Sequence, residues 1–341
     1  MGTESHSMSG GVTEFARSAQ LFNSSIATWA VSAAWDIDLF QALTEADEID
    51  IPWYAKKEEM DEPSLRYLLR SLSYADIVNV DVDRVTRGAT FEEFAQSKGL
   101  FQWLTKGYGS LFQRMGEVVY DRHRTGDYIR RDSTAVSIAC RDANDIFMDA
   151  AFTEVLNGLD FSVAADLGCG SGERLIQLAK RDSSVKCVGL DIAAGAIEVG
   201  TAAVAANGLQ DRVTLVRGDA RQLGEYEAFK DVELMTSFLM GHDFWPREQC
   251  VELFRGIRTQ LPNLKHFVLC DTHRNADDEN PDLPLFTMGF ETAHALMGQY
   301  IPTREEWYGV FEESGWKCVK QHVYSTPANT VIFQLERADS E

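Results

Sequence analysis

ADLGCGSGERL, Ala165 to Leu175, is the stretch that decides how this 341-residue chain is read. It closes the apolar run FSVAADL, a short segment of the kind a parallel sheet buries on both faces. Glycines follow at 168, 170 and 172. Glycine has no Cβ and tolerates positive φ, so such a turn lets backbone N–H groups approach a ligand closely. Next comes ERLIQLAKR, with Leu175, Ile176, Leu178 and Ala179 placed as one face of a helix. Strand, glycine turn and helix together make a nucleotide-type binding unit.

Spacing separates the candidate ligands. A dinucleotide fingerprint needs G-x-G-x-x-G. Here Gly168 and Gly170 fit, but the third position holds Glu173, and the third glycine is Gly172. An acid, Asp166, precedes the first glycine by two residues. A second apolar strand, VKCVGLDIA, ends in Asp191, 25 positions later (191 − 166). A third, DRVTLVRGDA, ends in Gly218 and Asp219, with Ala220 beside them. One acid alone reads as a loop carboxylate or a helix cap; three at successive strand ends read as a binding site. The glycine turn and its acid resemble the first motif of the class I S-adenosylmethionine (AdoMet) methyltransferases. That resemblance implies AdoMet held by Asp166, Gly168, Gly170, Asp191, Asp219 and Ala220. The chemistry agrees: an acid suits the ammonium of the methionine part, a carboxylate ending the second strand suits the ribose hydroxyls, and no pyrophosphate calls for a helix N-terminus.

The chain carries 53 Asp and Glu against 32 Lys and Arg, a net charge of −21. Phosphate contacts need clustered Lys and Arg, so nucleic acid is not the expected partner. The six cysteines form no C-x-x-C, and several sit in apolar runs, as buried thiols of a reducing compartment do. Residues 1–12 are polar and small and no apolar run reaches membrane length, so the expectation is a cytoplasmic protein with a disordered tail and no membrane partner.

Residues 13–145 lack strand–helix alternation. Phe15, Leu21, Phe22, Ile26, Trp29, Ala30 and Ala33 mark a long apolar helix running toward AAWDIDLFQAL. Asp61, Glu62 and Pro63 open another, SLRYLLRSLSYADI. IVNVDVDRVT alternates Val78, Val80 and Val82 with polar residues, as a half-exposed strand does. The pattern is winged-helix-like. Arg66 and Arg70 are too few among acids for a DNA-reading face, so a dimerisation domain, and hence a homodimer, is expected. The aromatic and arginine-rich stretch 100–145 is a candidate cover for a substrate, with ordinary interdomain packing as the plainer reading. From 146 onward the pattern is β-α-β-α, with strands near 163–167, 186–191, 213–217, 232–237, 265–270 and 330–335. This is a doubly wound, Rossmann-like α/β sheet, residues 146–341, preceded by the helical domain. RNADDENPDLP reads as a mobile surface loop.

After the fourth strand comes SFLMGHDFWPREQCVELFRGI. With AWDIDLFQAL and SLRYLLRSLSYADIV it resembles the two-lobed small-molecule O-methyltransferases over nearly the whole chain. In them the histidine of this segment, here His242, is the general base for a phenol, a role suited to its pKa near 6.5. That family usually orients the base with a glutamate after the fifth strand. Here FTMGFETAHALMGQ places His294 in an apolar, helical setting, with Glu291 three positions earlier. His242, Asp243 and His294 form a two-histidine, one-carboxylate set, the ligand type of a mononuclear non-haem metal. The same set resembles that of the 2-oxo acid (phenylpyruvate) C3-methyltransferases, where it implies a bound metal, iron first and zinc second. Methylation at carbon needs a carbanion equivalent, and a chelated 2-oxo acid yields a metal-stabilised enolate. His273, in DTHRN after the fifth strand, is a further candidate ligand.

The reading is therefore an AdoMet-dependent C-methyltransferase acting on C3 of phenylpyruvate or a similar aromatic or branched 2-oxo acid, in natural-product (antibiotic) biosynthesis. A metal-free O-methyltransferase with His242 as base is the second reading, and a non-catalytic AdoMet-binding regulator the third. The substrate wall draws on Trp103, Leu239, Met240, Phe286, Phe290 and Met297, and the substrate carboxylate on Arg130 or Arg131. A lone His294 in an apolar helix is also what a satisfied core histidine looks like, and Asp243 is also a plain helix cap.

Overall fold

The computed structural model describes residues 15–126, 128–274, 285–324 and 329–338. The expected N-terminal tail, and the RNADDENPDLP loop beyond Arg274, lie outside the described residues. The chain divides into two compact units, Met1–Ser110 with Arg131–Ile146, and Leu111–Arg130 with Phe147–Glu341.

The first unit is mostly helical, led by Ala16–Asp36. Its core includes Val31, Ala34, Phe40, Leu43, Leu69, Leu72, Ile77 and Val85. The helix Glu62–Ser73 begins where the sequence predicts: the Asp61 carboxylate accepts from the Ser64 amide at 2.8 Å, and a proline sits in the first turn. A small antiparallel sheet joins β1 (Glu48–Asp50), β2 (Val78–Asp81) and β3 (Arg84–Arg87) in the order β1-β3-β2. The strand pair of the winged-helix-like pattern is present, but the valine alternation overruns its first arm. Val78 is buried but Val80 and Val82 are exposed. The chain reverses at Val82, whose φ is +43°, and the inward residue of the hairpin's second arm is Val85.

The second unit is built on seven strands: β4 (Val163–Leu167), β5 (Lys186–Asp191), β6 (Val213–Arg217), β7 (Leu234–Phe238), β8 (His266–Thr272), β9 (Trp316–Tyr324) and β10 (Thr330–Arg337). Their order is β6-β5-β4-β7-β8-β10-β9. β4 to β8 pair in parallel, and β10 inserts antiparallel between β8 and β9. β9 eluded the sequence reading because only Trp316 in WKCVKQHVY is buried, which leaves the hydrophobic pattern of a core strand unwritten. β10 shows the two-faced pattern plainly: Val331, Phe333 and Leu335 join the core with Trp307 and Phe254, while Ile332 joins Leu234 and Ile176 on the other face.

The strand order reverses between β4 and its neighbours β5 and β7. In open α/β sheets that reversal leaves a crevice at the carboxyl ends of the strands. The glycine turn after β4 and the Leu239–Met240 exit from β7 both open there. The helix Ala194–Ala206 crosses the glycine turn closely. A Cβ on Gly200 would stand 2.6 Å from the Ser171 carbonyl oxygen and 2.5 Å from Leu215 Cδ1. Gly200→Ala is expected to cost about 1–3 kcal/mol through overpacking. Calorimetry would register this as a melting temperature several degrees lower, and an unchanged value would show that the helix shifts without cost.

Candidate active site

The glycine turn lies among the three strand-end acids, Asp166, Asp191 and Asp219. Gly168, Gly170 and Gly172 all take positive φ, at +70°, +54° and +73°. The Gly168 and Cys169 amides donate to the Leu190 carbonyl at 2.8 and 3.1 Å, tying the turn to β5. Asp191 finishes the tie: its Oδ2 accepts from the Gly170 amide at 2.9 Å and its Oδ1 from the Ala193 amide at 2.8 Å. Asp219 Oδ1 accepts from the Arg221 amide at 2.9 Å, starting the turn that Ala220 enters. A Cβ on Gly218 would meet the Tyr226 hydroxyl at 2.3 Å.

Asp166 is different, because it is buried. Thr236 Oγ1 donates to it at 2.6 Å, and Arg174 Nη1 lies 3.6 Å from its Oδ2. The Arg174 guanidinium rests on the face of Phe238, 3.6 Å from the ring centroid. Burial raises the Asp166 pKa, and Arg174 and Thr236 work against that rise. Arg174 and Thr236 were not singled out in the sequence. Arg174 stands eight residues after Asp166 (174 − 166), one position into the helix, and only the fold shows that the two meet.

The acceptor half begins where β7 ends. Leu239 takes φ +53°, and a tight turn spans Gly241–Phe244 before the helix Arg247–Gln260. His242 is buried, and one carboxylate holds it twice. Asp271 Oδ2 accepts from its backbone amide at 2.7 Å, and Asp271 Oδ1 lies 2.8 Å from its Nδ1. His294, on the helix Thr287–Met297, is buried too, with Nδ1 2.7 Å from the Phe290 carbonyl. A carboxylate and a carbonyl only accept, so Nδ1 carries a hydrogen in both rings, and in the neutral form Nε2 is the lone-pair nitrogen. The two imidazoles stand 4.8 Å apart between centroids at 85°. Phe290 packs against both, 3.9 Å from His294 and 5.5 Å from His242.

Asp243 sits at the edge of this pair. Its Oδ1 is 4.0 Å from His242 Nε2 and accepts from Gln299 Nε2. Among the described residues, no three His, Cys, Asp or Glu side chains are gathered into a ready-made metal cage. His273 is buried, its amide donating to the Asn329 carbonyl at 2.7 Å; burial lowers its pKa. Asp271, the group that orients His242, went unremarked in the sequence, where an acid was sought after the fifth strand rather than within it. The signal was present: Asp271 ends an apolar strand, as Asp166 and Asp191 do.

Met240 packs against the glycine turn. A Cβ on Gly168 would stand 2.3 Å from its sulfur. Phe286, at φ +79°, packs on Phe290 at 5.4 Å. Tyr128 donates to the Met297 carbonyl at 2.8 Å. Trp103 and Arg131 belong to the first unit. There Trp103 packs on Tyr108 at 4.1 Å, and Arg131 donates to the Tyr108 hydroxyl at 2.7 Å.

Arg174→Met tests the buried ion pair. Losing one partner of such a pair costs about 3–5 kcal/mol at neutral pH. The folded pKa of Asp166 lies above its unfolded value, so the cost of its charge grows as pH rises above the unfolded pKa and is complete above the folded one. It is absent below about pH 4, where the unfolded carboxyl is protonated as well. Denaturation from pH 4 to 8 should therefore show the gap between variant and wild type narrowing toward acid. A gap independent of pH would assign the loss to packing instead.

A family model described as a methyltransferase domain matches residues 164–262. The chain is 39% identical over 330 residues to methyltransferase ungE′ of Aspergillus campestris, covering 94% of this chain and 96% of the relative. It is 27% identical over 342 residues to indolepyruvate C-methyltransferase of Streptomyces griseus, covering 96% and 98%. Human N-acetylserotonin methyltransferase, solved with S-adenosylmethionine, shares the fold at a TM-score of 0.72 and 14% identity, over 98% of this chain and 100% of that one. With a glycine turn set against strand-end acids, and a similarity that runs the length of both relatives, the chain belongs to the S-adenosylmethionine-dependent methyltransferases, in their two-domain O-methyltransferase fold.

Proposed function

We propose that the chain transfers the AdoMet methyl group to C3 of a 2-oxo acid with an aromatic side chain. The paired imidazoles carry this reading: two buried rings, each fixed as the Nδ1–H tautomer by its own acceptor, with ring centroids 4.8 Å apart. The likeness to an indolepyruvate C-methyltransferase along the whole chain supports it. In this reading Asp191 takes the ribose hydroxyls, Asp166 faces the methionine ammonium, and Asp219 with Ala220 borders the adenine. Met240, packed against Gly168, separates the methyl donor from the acceptor.

The acceptor residues suit a mononuclear metal by donor chemistry. Imidazoles whose Nδ1–H is held by a carboxylate or a carbonyl are the usual form of histidine ligands. His242 and His294 would hold the ion through Nε2, with Asp243 as the carboxylate. A metal there would act as a Lewis acid on the keto oxygen and make the C3 hydrogen more acidic. Asp271 keeps His242 in one tautomer and one orientation. Phe290, against both rings, excludes water from the place where C3 meets the methyl group. The methyl–sulfur bond breaks as the C3–methyl bond forms, the C3 proton having left first.

One observation favours a second reading. His242 with Asp271 is also the arrangement of a general base oriented by a carboxylate, as a metal-free O-methyltransferase needs. Three measurements separate the two. Product NMR with indole-3-pyruvate and phenylpyruvate is expected to show the new methyl on C3. Chelation is expected to abolish activity and iron or zinc to restore it. His294→Ala should lose bound metal and at least about 100-fold in kcat/KM, since even losing a residue that only orients a metal ligand costs up to about 100-fold. Full activity in a chelated protein free of stoichiometric metal would sink the C-methylation reading. Asp271→Asn is expected to cost about 10–100-fold under either.

We also propose a homodimer. Leu21, Phe22, Ile26 and Trp29 leave one stretch of the first helix apolar and exposed. Sedimentation of wild type against Leu21→Glu/Phe22→Glu checks it: a wild-type monomer would overturn it.

A further inference from the structure

The helix Thr287–Met297 places one more polar atom on the face that carries His294. Thr287 precedes His294 by seven residues (294 − 287), about 10.5 Å of helical rise and within about 20° of the same angular position. Phe290 lies between them, stacked on His294. Thr287 is 2% exposed, and among the described residues its Oγ1 has no hydrogen-bond partner. A buried hydroxyl left unpaired is costly, and native proteins keep few of them. Its neighbour Phe286 holds φ +79°, uncommon for a residue with a side chain, while packing on Phe290. Backbone strain of this kind gathers at ligand sites. The start of this helix is thus held in an unfavourable backbone state with an unsatisfied hydroxyl beside an aromatic wall.

We infer that Thr287 Oγ1 pairs with a hydrogen-bonding atom on the aromatic ring of the substrate, so that the site selects indole- or phenol-bearing 2-oxo acids over phenylpyruvate. This rests on the reading above, in which the keto-acid end lies at His242 and His294. From there the aromatic ring runs along Phe290 and its far edge meets Thr287. A hydroxyl both donates and accepts, so an indole N–H and a phenol O–H both satisfy it. A bare phenyl ring leaves it unpaired, and a site built to hydrogen-bond a substrate rejects the analogue that lacks the partner.

The experiment compares indole-3-pyruvate, 4-hydroxyphenylpyruvate and phenylpyruvate, binding to enzyme loaded with S-adenosylhomocysteine, in wild type, Thr287→Val and Thr287→Ser. Wild type should bind at least one polar-ring ligand about tenfold or more tightly than phenylpyruvate; which one identifies the ring. Thr287→Val should bring that ratio near one by weakening the polar-ring ligand, and Thr287→Ser should keep it. The valine has nearly the same shape and removes an unpaired hydroxyl, so the melting temperature should not fall. A ratio unchanged in Thr287→Val overturns the proposal, and so does an equal loss of all three ligands with a lowered melting temperature. Methyl transfer scores the underlying reading separately. C3 methylation of none of the three compounds would reject C-methylation, while the binding ratio still decides Thr287.

Discussion

The close approach of Gly168 to the Met240 sulfur is the constraint on which the rest of the site depends. The two residues leave neighbouring parallel strands, β4 and β7, at the point where the sheet reverses its order. A Cβ at 168 would stand 2.3 Å from that sulfur, so a side chain there would push the Met240 side chain aside, and the φ of +70° is what calls for glycine. The glycine turn and the segment that carries His242 are thereby brought within one side chain of each other. In the proposed reading, that placement would supply the proximity on which transfer between two bound molecules depends.

Three strand-end carboxylates show how one residue type is put to different uses. Each oxygen of Asp191 accepts one backbone amide, which fixes the glycine turn. Asp271 spends its oxygens on the amide and ring of His242, so turn and imidazole are set by one group. Asp166 is buried with Thr236 and Arg174, and its pKa rises because it has left water. Burial of a carboxylate is tolerated only with partners of this quality. The same acids that make the chain strongly negative overall thus include a few that are internal and specifically paired.

The parallel sheet was legible because its strands are apolar on both faces and punctuated by glycine and acid. The turn between β2 and β3 was not, since the valines at 78, 80 and 82 continue an alternation through a residue that in fact turns the chain at positive φ. β9 was hidden by its exposure: an edge strand with a single buried residue writes no hydrophobic period. The histidine candidates were legible by residue type, and the structure brings His242 and His294 side by side. Their orienting groups were not, because Asp271 and the Phe290 carbonyl are partners only after β7, β8 and the helix Thr287–Met297 have packed.

By itself the amino-acid order determined the donor chemistry. Glycine spacing and strand-end acids are local features, set within a few residues of backbone, and they carry the nucleotide-type turn wherever the strand and helix form. What only the tertiary structure decided is the pairing of the two imidazoles. His242 and His294 are 52 residues apart (294 − 242), and their tautomers follow from acceptors on other elements. Which nitrogen carries the lone pair, how far apart the rings stand, and which hydroxyl remains unsatisfied beside them are all consequences of long-range packing, which no local pattern encodes.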